Sequence, residues 1–251
     1  MHAWAIIAVA AFVAGAINSI AGGGTLISFP ALLWIGRNPI MANATNAVAL
    51  WPGSLAAAYG FRRELGGAKR WLAILTIPSL TGAATGAYIL MHTSTRTFSH
   101  LVPFLILGAT LLLALQEAIT RRLRVASRGG RGWMIFVIVF QFFVGLYGGY
   151  FGAGMGILML AALGLIGLTD LHQMNGVKNL LAVFINGIAA IYFAYSHAIL
   201  WPDAIVMAAA SIAGGIAGAH MAQRLGRKFV RGAVVAIGVI MTVALLINGP
   251  R

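Results

Sequence analysis

The chain has no cysteine and few acidic residues, and both absences exclude classes of protein. Without cysteine there is no disulfide framework, no thiolate metal site and no cysteine nucleophile. The acidic residues are only four, and no pair of His, Asp or Glu has metal-ligand spacing. The hydrolase motifs Gly-x-Ser-x-Gly and His-Glu-x-x-His are also missing. We therefore predict no catalytic residue, no metal site and no cofactor, and we expect the protein not to be an enzyme.

Charge is scarce throughout, and apolar residues take its place. Of 251 residues, 61% are hydrophobic and 8% are charged, whereas about 25% of an ordinary soluble domain is charged. Residues 3–21 and 180–195 contain no charged side chain, and a helix of about 20 apolar residues crosses a bilayer core. The composition predicts an all-α polytopic membrane protein in contact with the lipid bilayer.

The few charges are mostly basic and lie in short segments. The net charge is +13, and 13 of the 17 basic residues lie near 62–70, 120–132 and 223–231. Basic loops between apolar stretches are typical of membrane orientation and not of a nucleic-acid stripe. We expect all three segments in the cytoplasm and no nucleic-acid partner. Because the amino terminus lacks the basic start of a signal peptide, the first apolar stretch is expected to be retained.

The apolar stretches fall into two similar halves. Each half begins with a long stretch broken by glycines, at Gly22 to Gly24 and around Gly148 to Gly156. One ungapped shift of 132 positions aligns landmarks of the halves, including Gly22 with Gly154, Gly24 with Gly156 and Asn43 with Asn175. The predicted stretches are 3–35, 39–61, 71–91, 97–119, 133–168, 171–197, 202–222 and 229–248. The predicted domains are a first repeat at 1–119, a basic cytoplasmic linker at 120–132 and a second repeat at 133–251.

The orientation of the basic loops predicts how the broken stretches lie. If the central linker and the loop near 223–231 both lie in the cytoplasm, the chain between them crosses the membrane an even number of times. The stretch 133–168 must then enter and leave on the same side, as a hairpin. Each repeat becomes one glycine-broken hairpin plus three crossings, so the second repeat is inverted relative to the first, with the carboxyl terminus outside. Inverted repeats with broken helices are a recurring transporter architecture.

The glycine breaks are candidate anion sites. The short helices predicted after them, from Thr25 and from Met155, span only about half the hydrocarbon thickness. Their amino-terminal N–H groups and positive dipole ends would point into the membrane interior. The alternative is that these glycines only permit close helix packing. The candidate backbone groups belong to Gly23, Gly24, Thr25, Gly154 and Gly156.

Lys178 is the second candidate feature. It lies about eight residues inside its predicted span, or about 12 Å deep, and buried basic residues in membrane helices often line a pathway. Asn175 and Asn179 flank it, and the shift of 132 places Asn43 and Asn46 at equivalent positions in the first half. We predict a polar pocket of two helix amino termini, four amides and one cation. The alternative is a lysine satisfied by backbone carbonyls at the cytoplasmic mouth.

These residues resemble a known family. The run from Ala21 to Pro30, Ala-Gly-Gly-Gly-Thr-Leu-Ile-Ser-Phe-Pro, and its echo from Gly149 to Gly156 look like the TauE/SafE sulfite exporter family. The second motif departs from the first, because its glycines are interrupted and no proline follows. The resemblance covers nearly the whole chain and implies transport of sulfite, an organosulfonate or a related sulfur-containing anion across a bacterial inner membrane.

The expected function is alternating-access export of a small anion, with the site at the repeat interface. Export is favoured because Glu64, Glu117, Asp170 and Asp203 all lie near predicted ends, so no acid sits deep in a span to couple uptake to protons. The alternatives are an anion channel, a proton-coupled anion uptake carrier, and a membrane scaffold or sensor without flux. The substrate within this class and any homo-oligomer stay open.

Overall fold

The computed structural model describes residues 2–20, 23–60, 65, 67–125, 130–168, 170–225 and 227–248. Within them the chain is helical and contains no strand. Four helical segments are long and apolar enough to cross a membrane, namely Lys69–His92, Thr95–Ile119, Arg131–Tyr150 and Gln173–Tyr195. The helices are α1 (His2–Ile20), α2 (Thr25–Trp34), α3 (Pro39–Gly60), α4 (Lys69–His92), α5 (Thr95–Val125), α6 (Arg131–Tyr150), α7 (Met155–Leu165), α8 (Leu171–Tyr195), α9 (Trp201–Leu225) and α10 (Arg227–Asn248).

Both predicted glycine breaks are confirmed as gaps between helices. α1 ends at Ile20 and α2 begins at Thr25, while α6 ends at Tyr150 and α7 begins at Met155. The helices that follow have 10 and 11 residues, so each is about 15 Å long, half the hydrocarbon thickness. Many large apolar side chains point outward, among them Trp34, which is 82% exposed. Such an apolar exterior suits contact with lipid.

Part of the basic central segment is helical. α5 continues past the predicted end at 119 to Val125, because Arg and Leu in this stretch are good helix formers and need no bilayer around them. Gly22, Arg62, Arg63, Glu64 and Arg128 lie outside the described residues.

Contacts at one end of the bundle join the basic segments, and we call it the basic end. Arg231 at the start of α10 pairs with Glu117 near the end of α5 at 2.8 Å. The Trp133 indole N–H, at the start of α6, donates to the Leu165 carbonyl at the end of α7 at 2.7 Å. The broken stretch α6–α7 therefore begins and ends at the basic end.

The first broken stretch closes at the opposite end. Arg37, just after α2, and Trp4, near the start of α1, both donate to the carboxylate of Asp203 in the first turn of α9. Beside them, the Asn38 amide donates to the Thr95 hydroxyl at the start of α5 at 3.2 Å. The stretch α1–α2 therefore begins and ends at the end opposite the basic one.

Helix pairs recur between the halves. The two most extensive interfaces are α1 with α9 and α4 with α6, and each joins helices from different halves. In each, two glycines lie against backbone carbonyls of the partner helix: Gly15 against Ser211 and Gly214 against Phe12, then Gly145 against Ser79 and Gly82 against Phe142.

The glycine contacts show that a single offset of 132 positions does not relate all parts of the two halves. Counterparts in α4 and α9 differ by 132 positions, as predicted, but counterparts in α1 and α6 differ by 130. The residues that precede α2 and α7, Gly24 and Gly154, also differ by 130. The pairings of Gly22 with Gly154 and of Gly24 with Gly156 are therefore wrong by two residues. The cause is that α7 and the turn after it are each one residue longer than α2 and its turn.

Candidate functional site

The first glycine break is built from close backbone contacts. The Gly24 N–H donates to Oδ1 of Asn18 in α1 at 2.7 Å, which satisfies one of the free N–H groups at the start of α2. A Cβ on Gly24 would collide with the Ala14 carbonyl, so no larger residue fits there. Gly23 has φ +92°, which favours glycine, and lies against Leu113 of α5. Thr25 opens α2 and is half-buried.

The second break lies beside the first. Gly154 caps α7 in the left-handed region, with φ +73°, and packs against Ala109 of α5. The Tyr147 hydroxyl donates to the Ala153 carbonyl at 2.6 Å and holds the link between α6 and α7. Ala109 and Leu113 are one turn apart on one face of α5. Both short helices therefore start near the same level of the bundle, close to the middle of the apolar segment of α5.

Lys178 of α8 lies beside the start of α7, and we call it, Gly156 and the two candidate residues near it on α8 the lysine cluster: Gly156, Asn175, Lys178 and Asn179. Lys178 is half-buried in α8. A Cβ on Gly156 would lie 3.4 Å from Cδ of Lys178, so the lysine stem runs past the first turn of α7. Both asparagines are half-buried on the same helix. The stem of a basic side chain thus lies beside the first turn of a helix.

A second group lies at the tip of α6, and we call it the asparagine cluster: Asn43, Asn46 and Tyr150. The Asn43 amide donates to the Tyr150 carbonyl at 2.9 Å. Asn43 and Asn46 are each 2% exposed. Among the described residues, the Oδ1 atoms of both have no hydrogen-bond partner.

The two clusters lie on opposite sides of the point where α3 and α8 cross. There the Trp51 indole N–H donates to the Val183 carbonyl at 3.0 Å. Near the start of α3, the Thr45 hydroxyl accepts a hydrogen bond from the N–H of Leu200, just after α8. Beyond the end of α3, Gly67 lies against Gln173 near the start of α8. The two helices therefore run antiparallel. Asn46 and Lys178 each lie five residues before the crossing, so about 15 Å separates them along the helices. The structure therefore brings together Lys178 with Gly156 and Asn43 with the tip of α6, but it sets these two groups apart.

The family can now be stated. The family described as "Sulfite exporter TauE/SafE" matches residues 7–245. The chain belongs to the TauE/SafE sulfite exporter family. This TauE/SafE protein is therefore a multi-pass membrane transporter, and membership indicates transport and not catalysis.

Several relatives share nearly the full length of this TauE/SafE chain. A "Probable membrane transporter protein" of Haemophilus influenzae is 32% identical over 250 residues, which cover 96% of this chain and 94% of the relative. A "Probable membrane transporter protein ORF9" of Sinorhizobium sp. is 28% identical over 98% of this chain and 93% of its own length. The "Probable membrane transporter protein YfcA" of Escherichia coli K12 is 28% identical over 94% and 87%. No solved structure matches.

One ion pair of this TauE/SafE protein was missed by sequence reasoning. Asp203 lies near a helix end, as predicted, but it is 2% exposed. Arg37 meets it with two hydrogen bonds, at 2.7 and 3.1 Å, and Trp4 adds a third at 3.1 Å. The available signal was that Arg37 is a basic residue outside the three basic segments.

Proposed function

We propose that this protein exports a small anion, namely sulfite, an organosulfonate or a related sulfur-containing anion, across the bacterial inner membrane by alternating access. The observation that carries the proposal is the lysine stem of Lys178 against Gly156 in the first turn of α7. A helix amino terminus carries roughly half a positive charge and free N–H donors. A lysine beside it adds a second positive charge, and this arrangement is favourable when an anion lies between them.

The course of the chain supports an inverted repeat. The first half begins with a hairpin closed at the end opposite the basic one, and the second half begins with a hairpin closed at the basic end. Each hairpin precedes three long helices, and the interface of α1 with α9 has a counterpart in that of α6 with α4. In transporters built this way, broken helices bind substrate near the membrane midplane, and one repeat rocks against the other. The starts of α2 and α7, side by side on α5, suit such a site.

The distribution of charge supports export. The lysine cluster lies on the side of the crossing nearer the basic end, which the positive-inside rule places in the cytoplasm. The equivalent site on the other side has Asn46 where the lysine cluster has Lys178. An anion is then bound more tightly from the inside and released more easily outside. At an inside-negative potential of roughly 150 mV, a departing monoanion gains about 3.5 kcal/mol.

The test is sulfite counterflow in proteoliposomes that contain the purified protein. Lys178→Met keeps the volume of the side chain and removes its charge, and Lys69→Met, at the exposed start of α4, is the matched control. Loss of a charged hydrogen bond worth about 1.5–3 kcal/mol predicts sulfite exchange reduced roughly tenfold or more in Lys178→Met, and unchanged in Lys69→Met.

The other outcomes would overturn separate parts of the proposal. No exchange of sulfite or of organosulfonates by the wild type would contradict the substrate class. Exchange that survives in Lys178→Met would contradict the role of the lysine. Single-channel currents without accelerated exchange would contradict alternating access.

A further inference from the structure

The asparagine cluster contains acceptors that the anion proposal does not use. The side-chain nitrogen of Asn43 donates to the Tyr150 carbonyl, which fixes the orientation of its amide, so the atom left over is an oxygen. Asn46 lies one turn further along the same face of α3 and also leaves its Oδ1 without a partner among the described residues. A buried acceptor without a donor costs about 1–3 kcal/mol. Two such atoms on one helix face indicate a ligand.

The surroundings of these oxygens favour a positive ligand. α6, a helix of 20 residues, ends at Tyr150, and a helix carboxyl terminus carries a partial negative charge. The ring of Phe98 packs against those of Tyr150 and Phe151 at centroid distances of 5.7 and 6.5 Å, which limits the access of water. An anion would meet oxygen atoms here. A cation would meet acceptors and the negative end of a helix.

We propose that Asn43 and Asn46 form part of a binding site for a monovalent cation of the size of Na⁺. Hard cations take oxygen ligands, and Ca²⁺ and Mg²⁺ sites are built around carboxylates. The ligands here are neutral amides, and the described residues contain no group of three His, Asp or Glu that could hold a metal ion. Neutral oxygens beside the carboxyl end of a helix suit a monovalent ion. The distance of about 15 Å between Asn46 and Lys178 keeps the cation away from the lysine.

The test measures cation binding without any anion transport. The full-length protein in detergent is heated in chloride salts at constant ionic strength, with choline replaced stepwise by Na⁺ or by K⁺, and tryptophan fluorescence reports unfolding. A ligand that binds only the folded state raises its stability. We expect the Tm of the wild type to rise by about 3–6 °C when Na⁺ reaches roughly ten times its Kd, and to rise less in K⁺.

Matched variants separate a cation site from a structural role. Asn46→Leu should lose the Na⁺ response while its Tm in choline is not lowered, because the substitution also removes an unpartnered buried acceptor. Asn46→Asp, which adds a negative charge, should respond at a lower Na⁺ concentration. Gln141→Leu is the control, because Gln141 also has a buried Oε1 without a partner among the described residues but lies about 14 Å below Tyr150 along α6. It should keep the full response.

Three results would overturn the cation site: a wild-type Tm that does not respond to Na⁺, an equal response to K⁺, or a response that persists in Asn46→Leu. Because the measurement contains no sulfite, any of them leaves the anion proposal intact. Loss of counterflow in Lys178→Met would likewise leave the cation site intact.

Discussion

The lysine cluster and the asparagine cluster lie on opposite sides of the crossing of α3 and α8 and differ in charge. Asn46 and Lys178 each lie five residues before the crossing of α3 and α8, and both clusters neighbour the second glycine break. On one side a lysine stem passes the amino-terminal end of α7; on the other, the Asn43 amide donates to the Tyr150 carbonyl at the carboxyl-terminal end of α6. The same scaffold therefore presents positive groups towards the basic end and acceptors towards the opposite end.

The contacts that close the two broken stretches also differ in charge. α6–α7 closes with one neutral hydrogen bond, from Trp133 to Leu165. α1–α2 closes on the buried carboxylate of Asp203, which accepts hydrogen bonds from Arg37 and Trp4. The closure of α1–α2 therefore reaches α9 in the other half, whereas Trp133 and Leu165, which close α6–α7, both lie in the second half.

The largest predicted effect comes from breaking the charged closure. Arg37→Met leaves the buried Asp203 carboxylate without its cation, and removing one partner of a buried ion pair costs about 3–5 kcal/mol. We expect the Tm in detergent to fall by roughly 10 °C. Glu117→Gln is the control, because it breaks a pair whose Glu117 side chain is 65% exposed and should cost less than about 1 kcal/mol. Equal losses of Tm in Arg37→Met and Glu117→Gln would contradict a larger contribution from the buried ion pair.

The glycines of the two breaks should respond differently to one added methyl group. Gly24→Ala forces a Cβ into the Ala14 carbonyl, so α1 and α2 must separate, and overpacking of this kind costs about 1–3 kcal/mol. Gly156→Ala meets only the flexible Lys178 stem at 3.4 Å, and alanine is about 1 kcal/mol better than glycine inside a helix. Thermal unfolding should therefore show a loss for Gly24→Ala only. Sulfite counterflow should weaken in Gly156→Ala, and a variant with normal stability and normal exchange would argue against the lysine cluster as the binding site.

Local signals predicted the breaks, and tertiary contacts decided what lies around them. The glycine runs before Thr25 and Met155 could be located because glycine supports positive φ and close approach, as Gly23 and Gly154 show. The neighbourhood of Lys178 and Asn175 followed from helical spacing. The separation of Asn46 from Lys178 could not be predicted, because it depends on where α3 and α8 cross.

The Arg37–Asp203 pair and the two-residue change in offset were also out of reach of the sequence. The first joins residues 166 positions apart. The second arises from small differences in the length of α7 and the turn that follows it. Charge and glycine patterns therefore defined the class of site, whereas its division into two clusters required the packed helices.

The proposal that Lys178 gives transport its direction is tested by the sulfite concentration that half-saturates counterflow on each face of vesicles with a single protein orientation. The wild type should need roughly tenfold less sulfite on the basic face, equivalent to about 1.4 kcal/mol. The double variant Lys178→Asn with Asn46→Lys moves the cation to the other cluster, and its preference should reverse. Two results would contradict a directional role for Lys178: equal half-saturating concentrations on both faces of the wild type, or a preference that the double variant leaves unchanged.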